Sequence, residues 1–175
     1  MKISRVWAMP NKNTFDIYPI SALISRYYRD SLMSVDPFAN KQRLATITND
    51  IDPQYNCNYN LDAVEFLSIF EDNSVDLVFN DPPFSPRQVS ECYKSLGLTV
   101  NMETTQSSFW SRQKDEISRI LKVGGHCISF GWNSNGIGKG RGFEIVEILL
   151  VAHGGSHNDT ICVVEKKSSH QLELF

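Results

Sequence analysis

The stretch VDLVFNDPPFSPRQ, Val75–Gln88, is an apolar run that breaks into Asp81-Pro82-Pro83-Phe84. A run of Val, Leu and Phe bounded by prolines predicts a buried strand with a stiff exit. Proline lacks an N–H and fixes φ, so a sheet ladder cannot continue through Pro82 and Pro83. The acid and the ring that flank the prolines are therefore held at a sharp tip. Gly, Asn or Ser satisfies an ordinary loop tip. A rigid tip carrying an acceptor and a π-face predicts a functional element.

Working outward, SLMSVDPF (31–38), RLATITND (43–50) and GHCISFGW (125–132) are further candidate strands. Helical patterns separate them: PISALISRYYRD (19–30), LDAVEFLSIFE (61–71) and SSFWSRQKDEISRILK (107–122). The last places Phe109, Ile117, Ile120 and Leu121 near one face, with a Ser N-cap candidate and Gly124-Gly125 as a stop. Strands alternating with helices predict a parallel sheet covered on both faces. Past Gly142 the pattern changes. FEIVEILLVAH and HNDTICVVEKK, joined by Gly-Gly-Ser, read as an antiparallel hairpin. His153 and His157 flank its turn and read as hairpin residues rather than metal ligands.

The chain has 175 residues, 41% hydrophobic and 21% charged, which predicts one globular domain. No apolar run approaches the length of a bilayer span, and MKISRVWAMP lacks the apolar core of a signal peptide. The four cysteines form no C-x-x-C pair, so no structural zinc or disulfide framework is expected, and a reducing cytoplasm fits. The net charge of −3 bears on partners. Proteins that grip nucleic acid through phosphates are usually basic, so any such affinity here must be local or borrowed.

The tetrad after a buried strand, in an α/β chain closed by an antiparallel hairpin, resembles the S-adenosylmethionine-dependent DNA adenine-N6 methyltransferases. The similarity is to their minimal phage and bacterial form and covers Phe15 to Lys166. It implies a Rossmann-like class I fold with a mostly parallel seven-stranded sheet. It also implies a methyltransferase domain over 1–166, with 85–108 as a mobile substrate loop, and a linker and tail over 167–175. In that resemblance Asp81 and the Pro82 carbonyl accept the two N–H groups of the target amine. They favour the pyramidal nitrogen whose lone pair attacks. Pro83 stiffens the turn, and Phe84 stacks on a flipped base. The plainer alternative is a strand ended by a Pro-Pro turn with Phe84 buried.

SVDPFAN resembles the family's cofactor motif, with Asp36 and Phe38 in matching positions. The family continues with a Gly-rich turn; here ANKQR follows, without glycine. In TNDIDP an acid ending the second strand takes the ribose hydroxyls, and Asp50 fits better than Asp52 because it follows the apolar run directly. NLDAVEFL resembles the motif whose Asp, here Asp62 with Ala63 beside it, accepts from the cofactor adenine. Asp62 is equally a helix N-cap. NKNTFDIYPI resembles the segment that closes over the methionine end, through Phe15 and Ile17; packing in the core is the alternative for both. This order of motifs is the family's gamma arrangement.

Two stretches fall where substrate should sit. SPRQVSECYKSLGLTVNMETTQSS (85–108) is long, polar and weakly periodic, which predicts a functional loop, with Arg87, Tyr93 and Lys94 available to a nucleic-acid backbone. NSNGIGKGRGF (133–143) is Gly-rich, with Lys139 and Arg141 available to phosphates. Finally, Gln171-Leu172-Glu173-Leu174-Phe175 resembles the pentapeptide by which bacterial polymerases and repair proteins attach to the replication sliding clamp. Gln171, Leu172, Leu174 and Phe175 hold its key positions. The expected activity is methyl transfer from S-adenosylmethionine to adenine N6 in DNA. The same chemistry on RNA, a non-catalytic binding module and protein glutamine methylation are the alternatives.

Overall fold

A computed structural model of the protein describes residues 1–30, 32–98, 107–155 and 157–168, with the side chains of 107–109 excepted. Phe109's side chain, the 99–106 part of the expected substrate loop and the pentapeptide 171–175 lie outside these described residues.

The strands are β1 (Lys2–Trp7), β2 (Ser34–Asp36), β3 (Ile47–Thr48), β4 (Val75–Asn80), β5 (Leu121–Gly131), β6 (Phe143–Ala152) and β7 (Thr160–Lys167). They form one seven-stranded sheet in the order β1-β6-β7-β5-β4-β2-β3. β7 runs antiparallel between β5 and β6, and the other pairs are parallel. Six of these strands match the sequence expectation. The seventh, β1, was not read. Its KISRVW is almost wholly exposed and follows no apolar period; pairing with the edge of β6, from Lys2↔Glu147 to Trp7↔Ala152, orders it.

Helices α1 (Tyr18–Tyr27), α2 (Ala63–Ser68), α3 (Pro86–Ser95) and α4 (Ser107–Ile120) connect the strands. Strand alternation, with a register shift between Val75 and Leu77, divides the core. Leu77, Phe79, Ile128 and Phe130 meet Ile20, Leu23 and Ile24 of α1 on one face. Val75, Val78 and Cys127 meet Phe66 and Leu67 of α2 and Ile117 and Ile120 of α4 on the other. Burying each such side chain contributes about 1.5–3 kcal/mol.

Several boundaries differ from expectation. The segment 85–108 is not a loop at its start: Ser85 caps α3, accepting from the Gln88 N–H at 3.3 Å, and Pro86 takes the first turn. Gly124-Gly125 does not stop α4; both glycines lie inside β5, which starts directly at Leu121. A Cβ on Gly125 would meet the carbonyl oxygens of Asp76 and Lys122 at 2.9 Å, so a close backbone approach, not a helix end, requires glycine. The hairpin forms as expected, turning through Gly154 and Gly155, both at positive φ. His153 ties it down, with Nδ1 2.9 Å from the Ala8 carbonyl and Nε2 2.9 Å from the Thr160 hydroxyl. The fold also runs past Lys166. The Lys167 ammonium bonds the Ser118 and Leu121 carbonyls, and the Ser168 N–H bonds the Gly142 carbonyl. No helix among the described residues is long and apolar enough to cross a membrane.

Candidate functional site

The parallel strands β2, β3 and β4 end on one edge of the sheet, and a cavity of about 590 Å³ opens there. Each wall comes from a segment singled out in the sequence. Asp36 and Phe38 follow β2, Asp50 follows β3, Asp62 and Ala63 begin α2, and Asp81 to Phe84 follow β4. Phe15 enters from the N-terminal segment, its ring 5.4 Å from Phe79 and 5.0 Å from Phe130. Ile17 does not reach the cavity: it is buried in the α1 face of the core, as the alternative reading had it.

The turn after β2 is built without glycine. Asn40 adopts φ 50°, the left-handed region that Asn tolerates better than most residues. Its N–H is held by Asp50 Oδ2 at 2.9 Å, and the Ala39 N–H bonds the Asn49 carbonyl at 2.8 Å. Asp50 Oδ1 accepts from the Asp52 N–H at 2.9 Å, so one carboxylate organises two cavity loops. Asp52 instead caps a short 3-10 turn through the Gln54 N–H. Asp36 is buried and accepts from the Phe38 N–H at 2.9 Å. Burial pushes its carboxyl well above the ordinary range, against that hydrogen bond, and the nearby Asp81 and Asp50 charges add to the rise. Burial also raises Asp50, opposed by its two backbone donors.

Asp62 serves two partners. Oδ1 caps α2 through the Val64 N–H at 2.9 Å, and Oδ2 accepts the Tyr93 hydroxyl at 2.9 Å. Tyr93 therefore lines the cofactor-motif cavity and is not spread along an outer surface; Gln88, Glu91 and Cys92 of α3 line it with Tyr93. Burial first, then the Asp62 charge, raises the Tyr93 phenol. Tyr93 was singled out for a backbone contact instead, and α3 carries no apolar period by which Gln88, Glu91 and Cys92 could be found.

At the tetrad, burial lifts Asp81 from an ordinary 3.8 to about 6, opposed by a hydrogen bond from the Thr14 side chain. The Phe84 N–H donates to Gln88 Oε1 at 2.6 Å, and the Trp110 indole N–H donates to the Pro83 carbonyl at 3.2 Å. The Pro82 carbonyl accepts no hydrogen bond from the described residues. Phe84 is half-buried, edge-on to Trp132 at 5.6 Å, so it is not lost to the core.

The expected basic contacts are not brought to the cavity. Arg87 and Lys94 are exposed on α3, with Arg87 paired to Glu91 at 2.7 Å. Lys139 is exposed on the 3-10 turn Lys139–Arg141. Arg141 is structural, bonding Asp115 at 2.6 Å and the Ser111 hydroxyl at 2.9 Å. Its loop is clasped by Glu165, fully buried, which accepts from the Ile137 and Gly138 N–H groups at 2.6 and 3.0 Å. A Cβ on Gly136, at φ 53°, would strike that carboxylate, so this glycine serves the clasp.

No protein-family model matches the chain, and no curated protein matches its sequence. Solved structures do match. TrmN from Thermus thermophilus superposes with a TM-score of 0.58 at 15% identity, over 86% of this chain and 49% of that one. The chain thus spans about half the length of that relative. The 1,6-didemethyltoxoflavin-N1-methyltransferase of Burkholderia thailandensis, solved with S-adenosylhomocysteine, gives 0.58 at 9% identity over 86% and 77% of the two chains. A SAM-dependent methyltransferase of Methanosarcina mazei gives 0.56 at 12% identity over 85% and 98%. The fold is the Rossmann-like fold of the SAM-dependent methyltransferases.

Proposed function

We propose that the protein transfers a methyl group from S-adenosylmethionine to adenine N6 in DNA. One observation carries this reading: Asp81 and its tetrad line the same cavity as Asp36, Phe38, Asp50 and Asp62. About 590 Å³ lies within the usual span of small-molecule sites, roughly 300–1,000 Å³. The donor set suits the cofactor. Five aspartates line the cavity together with Lys12 and Lys41, and the cofactor carries a sulfonium, an ammonium, a carboxylate, a vicinal diol and an amine. In this reading Asp50 takes the diol, Asp62 and Ala63 take the adenine, and Phe15 and Phe38 give apolar contact. The cofactor, when bound, supplies an electrophilic methyl group on sulfur.

The chain's own residues do the remaining work. Asp81 and the Pro82 carbonyl accept the two N–H bonds of the target amine and hold its lone pair toward the cavity. Phe84 stacks on the base. Methylation leaves N6 with a surplus proton, and Asp81, lifted to about 6, is placed to hold it before release to solvent. Calorimetry with S-adenosylhomocysteine should show binding that Asp50→Ala weakens by roughly tenfold, the cost of a charge-assisted pair. The function itself is tested with labelled cofactor on DNA and RNA of mixed sequence, digested to nucleosides. N6-methyladenine from DNA supports it; label confined to RNA, or to another base, overturns it.

The acidic chain needs a route to its substrate, and the 171–175 pentapeptide supplies one. Attachment to the sliding clamp would raise the local DNA concentration without a basic surface. Co-elution with a bacterial clamp, lost on deletion of Leu174 and Phe175 while methylation of short oligonucleotides persists, is the expected result. Equal clamp binding by the truncated chain would refute this arm.

A further inference from the structure

A second, smaller cavity of about 80 Å³ lies across the tetrad loop from the first. Pro82, Pro83 and Phe84 border both, but Asp81 lines only the larger and Asn80 only the smaller. Asn80 is 5% exposed and Gln113 2% exposed, and both line the smaller cavity. Asn80 Oδ1 and Gln113 Nε2 have no hydrogen-bond partner among the described residues. Among the described residues the Asn80 amide nitrogen reaches only the Ser129 hydroxyl, at 3.4 Å. Buried amide groups are normally satisfied, so two left unpaired in one small cavity call for an occupant. Trp132, 41% exposed and edge-on to Phe84, stands at the cavity's border, with Lys114 on another side.

We propose that this cavity is a recognition subsite for the nucleobase next to the methylated one, read by Asn80 and Gln113. The inference rests on the nucleic-acid reading of the main site. Position excludes the reacting base itself, whose amine belongs with Asp81 on the other side of the Pro82–Phe84 wall. Chemistry favours a base over a phosphate: two neutral amides match the in-plane donors and acceptors of a base edge, whereas a phosphate wants several cations. Phe84 and Trp132 supply the π-surface on which unstacked bases settle. The volume admits the edge of a ring or two to three waters, and no more. Turning either amide by a half-rotation exchanges its donor and acceptor, so the proposal fixes the readers and leaves the base to experiment.

The test is saturation-transfer NMR with the four nucleoside 5′-monophosphates, one at a time, on protein whose main cavity is saturated with S-adenosylhomocysteine. One monophosphate should be preferred. Gln113→Leu should reduce that preference by roughly tenfold or more, the discrimination of a paired amide–base contact, with S-adenosylhomocysteine affinity unchanged. Trp132→Ala, a change at the surface that spares the core, should weaken all four alike. Unchanged preference in Gln113→Leu, unchanged affinities in Trp132→Ala, or no binding of any monophosphate at millimolar concentration would overturn the subsite, leaving a cavity for water. If the monophosphates behave as expected but no nucleic acid is methylated, the subsite stands and the proposed reaction falls.

Discussion

Asp81 accepts hydrogen bonds fully only while ionised, and its burial opposes ionisation. Folding raises its pKa from 3.8 to about 6, so the folded state prefers the protonated acid. The stability this contributes is complete below the unfolded value and is lost as pH rises through about 6. Asp81→Asn, neutral at every pH, should therefore be more stable than the parent near neutral pH, by up to about 3 kcal/mol. Urea titrations should show that gain at neutral pH and none in acid; a loss at neutral pH would contradict the electrostatics. At this scale the site was largely legible. Asp36, Phe38 and Asp62 stood out by resemblance to a family's motifs, and Asp50 and the tetrad also because each follows an apolar strand directly. The glycine-free turn was the exception, because its left-handed residue is Asn40, whose fitness for that conformation shows only beside Asp50.

α3 was misread because its exposed faces are polar and its single buried side chain is Val89. One apolar contact sets no period; the helix is held by its cap and by ties at either end. Gln88 receives the Phe84 N–H and Tyr93 reaches Asp62, so α3 links the tetrad to the Asp62 side of the cavity. Ser85→Ala should cost about 1 kcal/mol in denaturant unfolding, the usual worth of an N-cap. Tyr93→Phe removes the outer tie, worth about 0.5–1.5 kcal/mol, and amide exchange across Pro86–Ser95 should quicken roughly 2- to 10-fold. Unaltered exchange would mean that the tie is incidental. β1 escaped for a related reason. Its order comes from β6 and from the Lys2 ammonium, 3.0 Å from the buried Glu147, which Arg26 and Tyr27 also bond. Burial alone would raise Glu147, but these three partners hold its pKa below the ordinary value. Stability from Glu147 is therefore present above the unfolded pKa and lost as pH falls through the folded one.

The whole molecule joins a methyltransferase fold to a net charge of −3, with Lys12 and Lys41 as the cations that line its cavity. Arg87 and Arg141, which looked like phosphate contacts in the sequence, form ion pairs with Glu91 and Asp115, and only the packed chain shows those partners. On the proposed reading, selectivity comes from contacts at the tetrad and delivery from the pentapeptide; neither requires a basic surface. The proposed chemistry itself depends on Asp81 working as an ionised acceptor beside the cavity. The most direct measurement is single-turnover methyl transfer to adenine-containing DNA across pH, for the parent protein and Asp81→Asn. The parent rate should climb as pH rises through about 6 and then level, following ionisation of this half-buried acid. Asp81→Asn should be slower by roughly 10²–10³ and lack that rise. Near-parental rates in Asp81→Asn, with the rise intact, would contradict the account.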